Sequence, residues 1–186
     1  PEFPTFGGGG AIYQEFADTL TITSTTFTVN NSPAAPGGAI VGYHGVEVIL
    51  KDIIVANNVS AGYGGGLCFL RPGHLNFTNS VIENNQSQSQ SGGGLFVGNE
   101  SISDTVSRVP GSLSHLTFVN NYAQIGGGGI FIWNTVDFSV THCTFVGNEA
   151  NDEGGTMSWQ GGGLSIHSGA EVSILNSLFY DNYPNS

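Results

Sequence analysis

Three basic residues, Lys51, Arg71 and Arg108, are all that this 186-residue chain sets against fourteen acidic ones, for a net charge of −11. Neutralising phosphates takes Lys and Arg, so no nucleic-acid partner is expected. Charge of either sign is scarce, at 9% of residues against 39% hydrophobic, which is the opposite of a solvated, disordered chain. No apolar run approaches 18 residues, so nothing here is expected to span a membrane. No signal-peptide pattern is present, and Pro1-Glu2-Phe3-Pro4 reads as a cut edge. No window sustains a 3.6-residue apolar period, so no significant helix is expected.

What the chain has in abundance is repetition. A glycine pair, a small residue and Ile or Leu recur, with the Ile/Leu at Ile12, Ile40, Leu67, Leu95, Ile130 and Leu164. A second mark, an apolar residue two positions before Asn, falls at Phe27/Asn30, Val55/Asn58, Ile82/Asn85, Phe118/Asn121, Phe145/Asn148 and Phe179/Asn182. The two marks lie 15 residues apart in five turns and 23 apart in the fourth. Insertions are therefore expected within 98–112 and 149–160, in a single unit whose turns start near 9, 37, 64, 92, 127 and 161.

Between the marks lies a third apolar element, for example Leu20/Ile22, Val48/Leu50 and Phe138/Val140; the fourth turn offers only Leu113. Alternating, β-branched runs punctuated by Gly, Asn, Asp and Ser are strand chemistry. The expected fold is all-β, a right-handed parallel β-helix (a β-solenoid) of about six turns with three short strands per turn. At about 4.8 Å per turn the stack is about 29 Å long. Each repeated position becomes a ladder, and the Asn column (Asn30, Asn58, Asn85, Asn121, Asn148, Asn182) is expected to stack its amides and to supply the left-handed backbone of a corner. The 29 glycines cluster at the other corner, where positive φ is needed.

The two cysteines occupy different phases, Cys68 outward and Cys143 inward, and are not expected to pair. Of the Asn-X-Ser/Thr sequons, Asn99 in the inserted loop is the preferred glycosylation candidate and Asn76 the next, because Asn30, Asn58 and Asn85 belong to the ladder. Neither end carries a polar or helical cap, and bare end strands invite pairing, so a segment of a longer chain or a covered end is expected.

No carboxylate pair lies on the face of the first strands, so no catalytic residue is expected there. The nearest polar row runs Phe16, His44, Arg71, Asn99, Asn134, Ser168; His44 and Arg71 are the acid/base candidates in it, against solvation of strand ends. His115 and His142 should stack at adjacent corners, a metal candidate that lacks a third ligand. Glu149, Asp152 and Glu153 form an acidic loop of the oxygen-rich kind calcium takes, although no calcium-loop spacing fits. No cofactor is expected, with calcium the one ion considered. One step past the first mark stand Tyr13, Val41, Cys68, Phe96 and Phe131. If these face outward they make a flat apolar strip, the leading candidate for a partner surface. The competing readings are that the inserted loops fold over it or that the strand phase is off by one.

Gly-Gly-Ala-Ile at 9–12 and 37–40, with the Phe-X-X-Asn marks at Phe27, Phe118, Phe145 and Phe179, resembles the passenger repeats of the chlamydial polymorphic membrane proteins. More loosely the chain is similar to right-handed β-helix repeat proteins of surfaces and secreted matrices. Four turns depart from the pattern in carrying Gly for Ala, two carry Val55 or Ile82 for Phe, and no translocator barrel is present. The resemblance implies an autotransported, surface-displayed, adhesive role, and hence an extracellular or cell-surface location. The expected function is thus a non-enzymatic structural or adhesive segment, binding protein or glycan on a surface or further copies of itself. The alternatives are a carbohydrate-active β-helix enzyme, either a polysaccharide lyase or glycoside hydrolase-like, and a filament-forming subunit.

Overall fold

A computed structural model of the chain describes residues 8–16, 18–45, 47–99, 109–151 and 161–185. Within them the chain coils six times, contains no helix, and pairs every strand in parallel with its counterpart one coil away. Sheet A takes Ile12–Glu15, Ile40–Tyr43, Leu67–Leu70, Leu95–Gly98, Ile130–Trp133 and Leu164–His167. Sheet B is bent. It takes Thr19–Thr23 with Thr26–Thr28, Glu47–Lys51 with Ile54–Ala56, His74–Glu83, Val109–Val119, Thr135–Thr141 with Thr144–Val146, and Val172–Leu175 with Leu178–Tyr180. Sheet C takes the short pairs that follow the ladder asparagines, from Asn31–Ser32 to Tyr183–Asn185.

The register matches the repeat one to one. Ile12, Ile40, Leu67, Leu95, Ile130 and Leu164 oppose one another in turn, and so do Phe27, Val55, Ile82, Phe118, Phe145 and Phe179. These columns fill the core from every coil. The fourth coil's missing apolar position is Gly111, which opposes Leu75 and Phe138. A Cβ there would lie 2.5 Å from the Phe138 ring, so the neighbouring Phe fills the space that the glycine leaves.

The asparagine column stacks its amides as the repeat implies, but it does not supply the corner's left-handed backbone. The left-handed backbone falls one residue earlier, at Val29, Asn57, Asn84, Asn120, Gly147 and Asp181. The ladder asparagines saturate buried polar groups. Asn121 Oδ1 accepts from Asn85 N (3.0 Å) and Nδ2 (2.9 Å), while Asn121 Nδ2 donates to Ile82 O (2.9 Å) and Asn148 Oδ1 (2.9 Å). The same links join all six rungs. Buried amides must find partners, and this arrangement satisfies both the side chain and a corner's backbone N–H.

The stack is polar along its axis. A Cβ built on Gly38 would meet Gly65 O at 2.0 Å, on Gly42 the Phe69 ring at 2.8 Å, and on Gly98 the Trp133 O at 2.3 Å. Each contacted atom belongs to the following coil, so at Gly42 and Gly98 in sheet A, and at Gly38 just before it, a side chain would lean toward the C-terminal end. All strands run one way, so equivalent positions keep the same lean from coil to coil. In the first coil Ile22 and Phe27 tuck under coil 2 and are 8% and 7% exposed. Their counterparts in the last coil, Ile174 and Phe179, are 41% and 42% exposed.

Candidate functional site

Sheet A carries apolar side chains on both faces, and the outer face is covered. Val41, Cys68, Phe96 and Phe131 point away from the core but are fully buried, in a second cluster with Tyr43 and Leu70. The strip expected to lie open to a partner is therefore closed; of its five residues only Tyr13, at 46%, is exposed. The strand phase is as the repeat implies, and what closes the strip is packing from outside. Tyr63 lies over Phe96 with ring centroids 4.5 Å apart. Trp133 sets its edge against Phe96 and Phe131, which stack on each other at 5.6 Å.

Tyr63 sits in the turn from sheet C to sheet A, where Gly64 at φ +66° swings the chain round. Its carbonyl accepts from Gly37 N at 2.9 Å. The preceding Gly62 carbonyl accepts from the hydroxyls of Ser60 (2.8 Å) and Ser87 (2.7 Å). Beside this roof opens a cleft of about 330 Å³, lined by Ala34, Ala35, Pro36, Tyr43, Ala61, Gly62, Tyr63, Leu70, Ser89 and Gln90. None of these carries a carboxylate, imidazole, thiol or amine.

Sequence reasoning passed over Tyr43, Tyr63, Leu70 and Trp133. The available signal was the second outward position: Val41 is followed two residues on by Tyr43, and Cys68 by Leu70. A strand apolar on both faces is buried on both faces.

The polar row at the far end of sheet A does not converge. His44 and Arg71 occupy adjacent coils, but the His44 ring stacks on Phe16 at 5.0 Å, and Arg71 Nε donates to Asn99 Oδ1 at 2.9 Å. This removes Asn99 as a glycosylation candidate: its side chain is fully buried and engaged. Asn76 is partly exposed on the outer face of sheet B, between Ile49 and Ser112.

His115 and His142 do stack, 4.9 Å apart and within 3° of parallel. Parallel rings aim their ring-plane lone pairs side by side, whereas a bound metal needs them to converge at about 2 Å from each nitrogen. His142 Nε2 is also 3.3 Å from Asn176 Nδ2. Among the described residues no three His, Cys, Asp or Glu side chains gather as a metal site. Glu149 lies in sheet C, opposite Tyr122 and Tyr183; Asp152 and Glu153 lie outside the described residues.

Neither cysteine is in a disulfide and both are buried, Cys68 in the outer cluster and Cys143 in the core. Burial pushes the Cys143 thiol up, against weaker lowering by backbone hydrogen bonds. Burial also holds His167 below its usual range, its ring stacked on Phe131 at 5.1 Å.

No curated protein and no solved structure matches the chain. A family model described as a right-handed β-helix region matches residues 6–179. Six parallel coils in register and a match over nearly the whole chain place it as a member of the right-handed β-helix family.

Proposed function

We propose that the chain is a non-enzymatic structural and adhesive β-helix segment of an extracellular or cell-surface protein, with the cleft beside the Tyr63 roof as its contact point. The observation that carries this reading is the cleft's lining: two tyrosines, alanines, a proline, a serine and a glutamine. Such a surface offers apolar area and hydrogen bonds, and it offers no group suited to acid–base or nucleophilic chemistry near neutral pH. The partner it suits is uncharged, a neutral glycan or an uncharged protein loop. The resemblance to surface-displayed passenger repeats supports the location, and the core ladders suit a rigid spacer.

Two assays test it with the intact chain. Immobilised neutral glycans and matrix proteins should retain it, and Tyr63→Ala should lose at least about tenfold in affinity if the ring anchors the contact, a loss of about 1.4 kcal/mol. Incubation with acidic and neutral polysaccharides should release no new reducing ends or unsaturated products. Turnover that is abolished by His44→Ala or Arg71→Ala would favour the carbohydrate-active alternative.

A further inference from the structure

We infer that N-linked glycan transfer to the ladder sequons blocks folding, so that the chain matures only by a route without that transfer, with Asn76 as the one acceptor the fold tolerates. This goes beyond the contact reading and does not depend on what the cleft binds.

The sequence holds five Asn-X-Ser/Thr sequons, at Asn30, Asn58, Asn76, Asn85 and Asn99. Transfer joins Asn Nδ2 to the anomeric carbon of an oligosaccharide. One Nδ2 hydrogen leaves as a proton, and the lipid-linked diphosphate that carried the sugar departs. The product keeps a single Nδ2 hydrogen and carries a bulky polar group that must sit in solvent. Asn58 and Asn85 can supply neither condition. Asn58 Nδ2 spends both hydrogens, on Phe27 O at 3.1 Å and Asn85 Oδ1 at 2.9 Å. Asn85 Nδ2 spends both on Val55 O and Asn121 Oδ1, each at 2.9 Å. Both side chains are buried, as is Asn99, whose Oδ1 holds Arg71 Nε. A sugar at Asn58 or Asn85 would strand a buried carbonyl or acceptor and force the coils apart.

Modification would also come first. The Asn58 rung closes on a residue 27 positions later and the Asn85 rung on one 36 positions later. At about 5–20 residues per second, each amide stays open for seconds during synthesis. Asn76 differs. It points out of sheet B between the buried Leu75 and Phe77, and is half-exposed opposite Ile49 and Ser112, so a glycan there projects into solvent.

The test attaches a secretion signal to the 186-residue chain and expresses it in a eukaryotic cell, with and without tunicamycin, which stops assembly of the lipid-linked sugar. A second chain, Ser32→Ala/Ser60→Ala/Ser87→Ala/Ser101→Ala, keeps every asparagine and leaves Asn76 as the only sequon. Ser32, Ser60 and Ser87 share a column in which Ala123 and Ala150 already stand. Site occupancy is read by peptide mass spectrometry, and folding by circular dichroism and protease resistance. Wild type should carry glycans at Asn58 or Asn85 and yield at least about tenfold less folded, secreted protein than the same chain made with tunicamycin. The Ser→Ala chain should be secreted folded with its glycan at Asn76. Three results overturn the inference: folded wild type with a glycan at Asn58 or Asn85, folded wild type that passes through with both unmodified, or folding restored neither by tunicamycin nor by the Ser→Ala changes. The tunicamycin arm decides the outcome even if the Ser→Ala chain does not fold.

Discussion

The first and last coils use the same column positions; Ile12 and Leu20 at one end and Leu164 and Val172 at the other are partly buried alike, yet two positions in sheet B differ. Ile22 and Phe27 are hidden, whereas Ile174 and Phe179 are nearly half exposed. The difference follows from strand direction. Equivalent inward positions lean the same way in every parallel coil, so Ile22 and Phe27 tuck under the next coil and Ile174 and Phe179 stand out. A repeat with identical residues at both ends therefore has two unlike ends, and stability should be lost unevenly along it.

The asparagine ladder gives the largest contrast. Asn121→Ala removes an acceptor from Asn85 N–H and a donor from Ile82 O, both deep in the stack, and should cost about 3–5 kcal/mol in urea unfolding. Asn182→Ala has one neighbour fewer and should cost about 1–2 kcal/mol. Equal costs would break the comparison.

Much of this was legible in the sequence. The spacing of Ile12 to Leu164 and of Asn30 to Asn182 gives the coils, the register and the core columns, because a stacked coil turns one-dimensional periods into ladders. The roof was not legible. Tyr63 lies outside both marks, in a turn whose length varies from coil to coil, and a repeat pattern describes only what repeats. The corner backbone was misplaced by one residue for a related reason. Asn is a common left-handed residue, but a buried rung needs its amide more, and the positive φ passes to Val29 and its equivalents. Asn99 fits the sequon pattern, which says nothing of burial under Arg71.

The interior coils offer a second contrast, between the inner and outer clusters. Cys143 and Cys68 should both resist a thiol reagent in the native state, since both are buried. Under rising denaturant Cys68 should react first, because the outer cluster is small and opens without uncoiling the core. Simultaneous reaction would mean that the roof and core unfold as one unit.

The smallest effect lies in the last coil. Burial lowers the pKa of His167, so the unfolded chain takes up its proton first as pH falls below about 6.5. Stability should be constant above that value and decline below it. His167→Gln should flatten this part of the pH profile, measured by urea unfolding at a series of pH values.

The most direct measurement is a matched pair of truncations, Phe27→Ala and Phe179→Ala, compared by urea unfolding with Phe118→Ala from the interior. Buried Phe→Ala changes cost about 3–5 kcal/mol. If the stack is polar, Phe27→Ala falls with Phe118→Ala in that range despite its place in the first coil, and Phe179→Ala costs less than half as much. Similar costs for Phe27 and Phe179, both well below Phe118, would mean that the ends are equivalent and that strand direction does not set which one is open.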